Sequence, residues 1–271
     1  MENDVRHKRK LSELSLIDDY LFGLFVQEAK NEEILKGLIE RMLDIKLSKV
    51  RLKQKQHEIS NEPDLHGIRL DAFLQDDSET LYDIEVQAVN ISNIPKRIRY
   101  YQSLIDREQM PSGEYDYDKL PKTIIIFVTD FDLFGKGLYR YTFENTCVEN
   151  NTIKLGDESI KVILNTKGTD SSGVKPELIE LLEYFHNSTK ETANKASSDF
   201  IKKLDKMLEP IKNSPKFGGD YMSYQEALYT SRLEGEKKGE QKGMQKERQE
   251  TIEKLRKMGM SEEEIRNFYK S

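Results

Sequence analysis

Residues 68–87, IRLDAFLQDDSETLYDIEVQ, place two apolar-alternating runs on either side of the polar turn QDDSE, a spacing that predicts a β-hairpin. Side chains on a strand alternate between faces with a period of two. Ile68, Leu70, Ala72 and Leu74 therefore point one way, and Arg69, Asp71 and Phe73 the other. In the second run Tyr82, Ile84, Val86 and Ala88 make the apolar face, which sets Asp83, Glu85 and Gln87 opposite. Two half-buried strands then each offer a carboxylate, Asp71 and Glu85, with Gln87 one pleat beyond. A carboxylate in a strand interior is costly unless something pairs with it. A divalent cation would do so: magnesium prefers oxygen ligands and usually takes only one or two protein carboxylates. Gln87 beside such an ion could orient a water, an arrangement suited to hydrolysing a phosphodiester.

Outward from the hairpin the pattern alternates between helical and strand periods. Ser15, with Asp18 three residues on, predicts the cap of a first helix with Ile17, Tyr20, Leu21, Leu24 and Phe25 as its buried stripe. A second helix over 31–43 repeats the spacing, and Val50, Leu52 and Ile59 mark a strand within 45–66. After Gln87 a helix opens at Asn93, with Pro95 in its first turn. Ile94, Ile98, Tyr101 and Ile105 form its apolar stripe. A polar loop over 111–120 leads to TIIIFV, a continuous apolar run expected to be a strand buried on both faces. Strands are expected around Tyr139–Phe143 and over 159–165, then helices over 176–186 and 198–209, the last stopped by Pro210. This order fits an α/β fold with a mixed central sheet flanked by helices on both sides.

The domain expected at 1–210 is followed by a Pro- and Gly-rich linker at 211–220 and a charged helical C-terminal extension at 221–271. Gly235, Gly239 and Gly243 recur every four residues in that extension, each weakening a helix by roughly 1 kcal/mol relative to Ala. Ser261, with Glu264 three residues on, predicts a capped terminal helix.

Charged residues make up 34% of the chain, yet the net charge is −6 and the isoelectric point about 5.5, which lacks the basic footprint of a general nucleic-acid binder. The single Cys147 excludes an intramolecular disulfide and a cysteine zinc cluster, and is expected to be a buried or inert thiol. His7, His57, His66 and His186 are scattered and suggest neither a triad nor a zinc site. No apolar run approaches the roughly 20 residues that span a bilayer. The start, MENDVRHKRKLSEL, lacks the apolar segment of a secretory signal, so a cytoplasmic, reducing compartment and no membrane partner are expected.

Asp71, Glu85 and Gln87 on a hairpin, between an entry helix and an Arg- and Tyr-rich helix, resemble the PD-(D/E)XK nuclease superfamily. More narrowly they are similar to its bacterial transposase-associated branch, which includes the recombination-promoting nucleases. DDYLFGLF (18–25), GIRLDAFLQD (67–76), LYDIEVQ (81–87), KRIRYYQSLID (96–106) and KTIIIFVTD (122–130) carry the likeness, over about 18–165. The charged tail with its GMSEEEI ending resembles that branch as well. The resemblance implies a restriction-endonuclease-like core, DNA as the partner, and Mg²⁺-dependent endonuclease activity in which Mn²⁺ is accepted. Recombination, mobile-element or defence contexts are implied with it. Asp71 and Glu85 would be catalytic metal ligands, and Gln87 would hold the catalytic position normally occupied by Lys, where a neutral amide supplies no positive charge. Asp19 matches the acidic position of the first helix and would complete the metal site, whereas Gly23 stands where the branch often has Lys. Arg97, Arg99, Tyr101 and Gln102 are the expected nucleic-acid contacts, because Arg forks suit phosphate oxygens.

The residues themselves leave other assignments open. Asp71 could pair with Arg69 or Arg99 in a structural ion pair, and Gln87 could be a satisfied polar residue. Asp18 and Asp19 would also favour a helix N-terminus through its dipole. Asp76 and Asp77 read as turn residues. A rival to the endonuclease is a weak or inactive nuclease-fold protein that acts as a nucleic-acid-binding or protein-interaction module. A homo-oligomer built through the helical tail is compatible with either.

Overall fold

The structure, a computed structural model, describes residues 13–28, 32–59, 68–91, 93–110 and 112–268. The basic start of the chain, His7, His66 and the Arg69 side chain lie outside the described residues. The chain divides into two compact units, Met1–Ser214 and Pro215–Ser271.

The first unit is built on a six-stranded sheet in the order β1-β2-β3-β4-β6-β5. β1 (Val50–Ile59), β2 (Ile68–Asp76) and β3 (Leu81–Gln87) form an antiparallel meander, and β4 (Thr123–Thr129) and β6 (Ser159–Asn165) continue from β3 in parallel. β5 (Arg140–Phe143) runs antiparallel to β6 at the edge. Parallel neighbours need a crossover, and α3 (Ile94–Gln109) supplies the one between β3 and β4. The apolar run TIIIFV is β4, buried along its whole length as its composition predicts.

Each strand's two rows of side chains meet a different layer. Leu70, Phe73, Leu81, Ile125, Phe127 and Ile163 share one apolar cluster with Ile94, Ile98, Tyr101, Leu104 and Ile105 of α3, so Leu70 joins the side that alternation assigns to Phe73. On the opposite face Ala72, Leu74, Ile84, Val86, Ile126 and Leu164 are buried too. There α1 (Asp19–Glu28) packs on β2 and β3 and joins α6 (Asp199–Lys212). α2 (Glu32–Leu43) packs on β1 and on α4 (Pro176–His186), with the short α5 (Lys190–Lys195) between α4 and α6. The hairpin strands are therefore buried on both faces, not half-buried, because α3 roofs the row that carries the acidic residues.

Capping differs from the expected pattern at α1. Asp18 is the cap, its Oδ1 accepting from the Leu21 N–H at 3.1 Å. Ser15 is engaged elsewhere: its hydroxyl accepts from the Ser188 N–H at 3.1 Å, tying the entry to the chain beyond α4. Pro210 does not stop α6, which runs to Lys212 because only its last turn follows the missing N–H. Cys147 is partly exposed, not buried, and its thiol donates to Glu149.

In place of the expected ten-residue linker the helices part only at Asn213 and Ser214. Pro215 opens α7 (Pro215–Lys257), a position where its fixed φ suits a helix and no N–H is needed. The charged extension thus begins inside this 43-residue helix, in which only Phe217 is buried, and nothing lies within 4 Å of where a Cβ would stand at Gly235, Gly239 or Gly243. α8 (Glu262–Phe268) opens with the expected capping box, Ser261 Oγ accepting from the Glu264 N–H and the Ser261 N–H donating to Glu264 Oε2. Among the described residues no helix is long and apolar enough to cross a membrane.

The β2–β3 turn sets the pairing that positions every acidic residue of the hairpin, and Asp76 holds that turn. Its Oδ1 accepts from the N–H groups of Ser78 and Thr80, both at 2.9 Å, and its Oδ2 from the buried Tyr82 hydroxyl at 2.8 Å. Asp76→Ala strands the buried Thr80 N–H and Tyr82 hydroxyl, and each buried unsatisfied group costs about 1–3 kcal/mol. Urea unfolding should show a stability loss of about 3 kcal/mol, and an unchanged midpoint would show that main-chain bonds alone fix the turn.

Candidate active site

The β2–β3 ladder is regular from Gln75↔Leu81 to Ala72↔Ile84 and then ends. At the next position the side chains take over. The Asp71 N–H donates to Glu85 Oε1 at 3.0 Å, and the Val86 N–H donates to Asp71 Oδ2 at 3.3 Å. Each carboxylate thus accepts from the main chain of the other's strand, a reciprocal clasp where the two strands separate. Asp71 and Glu85, which alternation places on one face, are brought together here.

Glu85 is 3% exposed and Asp83, one pleat back, is fully buried. Asp83 pairs across to Phe73 on β2 and to Ile125 on β4. Neither of its carboxyl oxygens has a hydrogen-bond partner. Burial pushes the Asp83 carboxyl well above the usual carboxylate range, the Asp71 charge adds to this, and Arg97 pulls the other way. Burial likewise pushes the Glu85 carboxyl well up, reinforced by Asp71 and Asp83 and opposed by the Asp71 N–H and Arg97. Arg97 Nη2 stands 3.8 Å from Glu85 Oε2, too long for a hydrogen bond, so it relieves the burial without cancelling it. Asp83 is the acidic residue that the sequence argument placed on this face but left out of the site.

Gln87 closes the row. Its amide donates to the Val89 carbonyl at 3.0 Å and its Oε1 accepts from Arg97 Nη1 at 2.7 Å. Arg97 Nη2 also donates to the Tyr101 hydroxyl at 3.1 Å. The guanidinium carbon lies 5.5 Å from the centre of the Tyr101 ring and 5.4 Å from that of Phe127, within cation–π range. The four expected nucleic-acid contacts therefore do not share one surface. Arg97 and Tyr101, one helical turn apart, face the carboxylates, whereas Arg99 is exposed and Gln102 donates to Asp106 along α3 at 2.8 Å.

Asp19 is exposed at the start of α1, its Oδ1 accepting from the Tyr20 N–H. Among the described residues no three His, Cys, Asp or Glu side chains are grouped closely enough to hold an ion, so Asp19 is not gathered with Asp71 and Glu85 as a third ligand. A second polar cluster lies at the same C-terminal ends of β3 and β4. The Asp130 N–H donates to the Gln87 carbonyl, and Asp130 Oδ1 stands 2.7 Å from His186 Nδ1 and 3.6 Å from Lys167 Nζ. His186 is not isolated, as its place in the sequence suggests, because β4 and α4 end beside each other.

The raised Asp83 carboxyl carries a signed pH dependence. Its contribution to stability is fully present below the unfolded-state value, about pH 4 for Asp, and is lost as pH rises through the higher folded-state value. Asp83→Asn removes that loss. The urea midpoint of Asp83→Asn should gain steadily on the wild type as pH climbs from about 4 toward neutral. A difference that stays constant over that range would show that the Asp83 carboxyl titrates alike in both states.

Comparison with known proteins bears on the same residues. No curated protein and no solved structure matches the chain. A family model described as PD-(D/E)XK nuclease family transposase matches residues 16–234. The match takes in the whole sheet, the Asp71–Glu85 clasp and Gln87, and runs on into α7. The chain belongs to the PD-(D/E)XK nuclease family transposases.

Proposed function

We propose that the protein is a metal-dependent endonuclease that hydrolyses phosphodiester bonds in DNA, with Asp71 and Glu85 as the metal-holding pair and Gln87 beside them. The reading extends to a role in recombination, mobile-element or defence processes. The observation that supports it most directly is the reciprocal clasp, which holds two carboxylates against each other at the point where their strands part.

The donor set suits a hard divalent cation. Two carboxylates come from adjacent strands and are held side by side where those strands part, a meeting of like charges that a cation would relieve. Mg²⁺ usually takes one or two protein carboxylates together with waters and substrate phosphate, and Mn²⁺ accepts similar oxygen ligands. When bound, the ion supplies neutralisation of the phosphate and acidification of the attacking water. The chain's own groups do the positioning. The clasp fixes Asp71 and Glu85 through main-chain N–H donors, so neither carboxylate needs to reorganise when charge arrives. The cluster that includes Tyr101 and Phe127 makes the surroundings of the carboxylates largely apolar, which strengthens electrostatic interactions there.

The near-complete burial of Glu85 favours one rival, a nuclease fold kept for binding with weak or no cleavage. A single assay separates the two. Purified protein with Mg²⁺ or Mn²⁺ should nick supercoiled plasmid, and EDTA should stop it. Asp71→Ala and Glu85→Ala should each lose more than the roughly 10–100-fold that removal of an outer-shell partner costs. Equal cutting by wild type and both variants would refute the assignment. A wild type that binds duplex without cutting it would establish the rival.

A further inference from the structure

Three carboxyl groups, those of Asp71, Asp83 and Glu85, share one row of the sheet, and the Arg97 guanidinium of α3 faces them. That guanidinium is fastened at three points. Arg97 Nη1 donates to Gln87 Oε1 at 2.7 Å, Nη2 donates to the Tyr101 hydroxyl at 3.1 Å, and Nη2 lies 3.8 Å from Glu85 Oε2. The Tyr101 and Phe127 rings flank the head group. The side chain is nevertheless 26% exposed, so the head group is fixed and reachable at once. Arginine carries five N–H donors in a planar fork, and the two hydrogen bonds above use one from each terminal nitrogen. The fork therefore keeps donors for a ligand with the geometry of a phosphate.

We propose that Arg97 is the fixed cation of this site, contacting a non-bridging oxygen of the scissile phosphate, with Gln87 and Tyr101 as the residues that position it. The assignment rests on the nuclease reading above. Hydrolysis forms one P–O bond from water and breaks one ester P–O bond. One of the water's protons ends on the leaving oxygen, and the other stays on the new phosphomonoester or passes to solvent. Negative charge on the phosphoryl oxygens grows along this path, and a cation held in place beforehand answers it without reorganising. Arg97 forms and breaks no bond along this path. Its part is electrostatic, and Gln87 acts through it.

The test uses the full-length protein, plasmid nicking under multiple-turnover conditions, and calorimetric titration with Mn²⁺ alone. Arg97→Ala should lower kcat by about 10²–10³-fold, the cost of removing one preorganised donor to a transition-state oxygen. KM should change far less. Mn²⁺ affinity should stay the same or tighten, because a positive charge beside the carboxylates has been removed. Gln87→Lys placed in the Arg97→Ala background should recover at least about tenfold of the lost kcat, since it restores a cation next to the same carboxylates. Arg97→Lys should fall between wild type and Arg97→Ala, because it keeps the charge and loses the fork. Two results would overturn the proposal while leaving the nuclease reading intact. One is Arg97→Ala cutting within about threefold of a wild type that depends on Asp71. The other is Arg97→Ala losing Mn²⁺ binding together with cleavage, which would make Arg97 a support for the carboxylates only. A wild type that does not cut with either metal would sink both readings.

Discussion

Carboxylates survive inside a protein only if hydrogen bonds, counter-charge or protonation answer them, and all three devices operate on one row of this sheet. Asp71 and Glu85 take main-chain N–H donors from each other's strands. Arg97 brings a counter-charge over the roof of α3. Asp83, with no partner for either oxygen, is left to the third device, and its carboxyl is driven well above the usual range. The surrounding elements hold this imbalance in place. The buried β4 pairs beside β3, α3 closes the acidic face, and the helical layer with α1 covers the other. Wherever a sheet spends stability in this way without a structural return, a ligand is the usual reason.

Much of this was legible in the chain because period-two alternation is a strong signal when the polar positions are charged. The hairpin, the shared face of Asp71, Glu85 and Gln87, the doubly buried β4 and the bounds of β6 all follow from spacing alone. The roof over that face did not. α3 carries Arg97 and Tyr101 on the side that turns inward, and a charged residue on an amphipathic helix ordinarily reads as solvent-facing. Only the carboxylates beneath make it favourable for Arg97 to turn in, and that pairing joins residues from separate elements. The same limit hid the meeting of Asp130 and His186, which are 56 positions apart in the chain. Capping at α1 was ambiguous for a local reason, since Ser15 and Asp18 both qualify as caps and the contact with Ser188 decides between them.

The second unit raises a different issue. Glycine and proline mark 211–220 as a break, yet helix runs through almost all of it. Helical hydrogen bonds are local, so a long charged helix can persist with a single buried side chain, whereas a sheet cannot. The family match crosses the boundary between the units and ends at residue 234, inside α7. The shared sequence pattern therefore extends past the first compact unit and stops where the glycine-punctuated stretch begins at Gly235.

The tight turn held by Asp76 has an evolutionary corollary. Gaining or losing one residue between Asp76 and Thr80 would slide one strand by a single step, and a single step sends every side chain of that strand to the reverse side of the sheet. Asp71 and Glu85 would then look away from each other through an otherwise intact fold. The three residues inside the turn are exposed and their composition is limited chiefly by the left-handed backbone at Glu79, φ 64. Their number is inherited under much stricter control, because the distance along the backbone is what aims the acids.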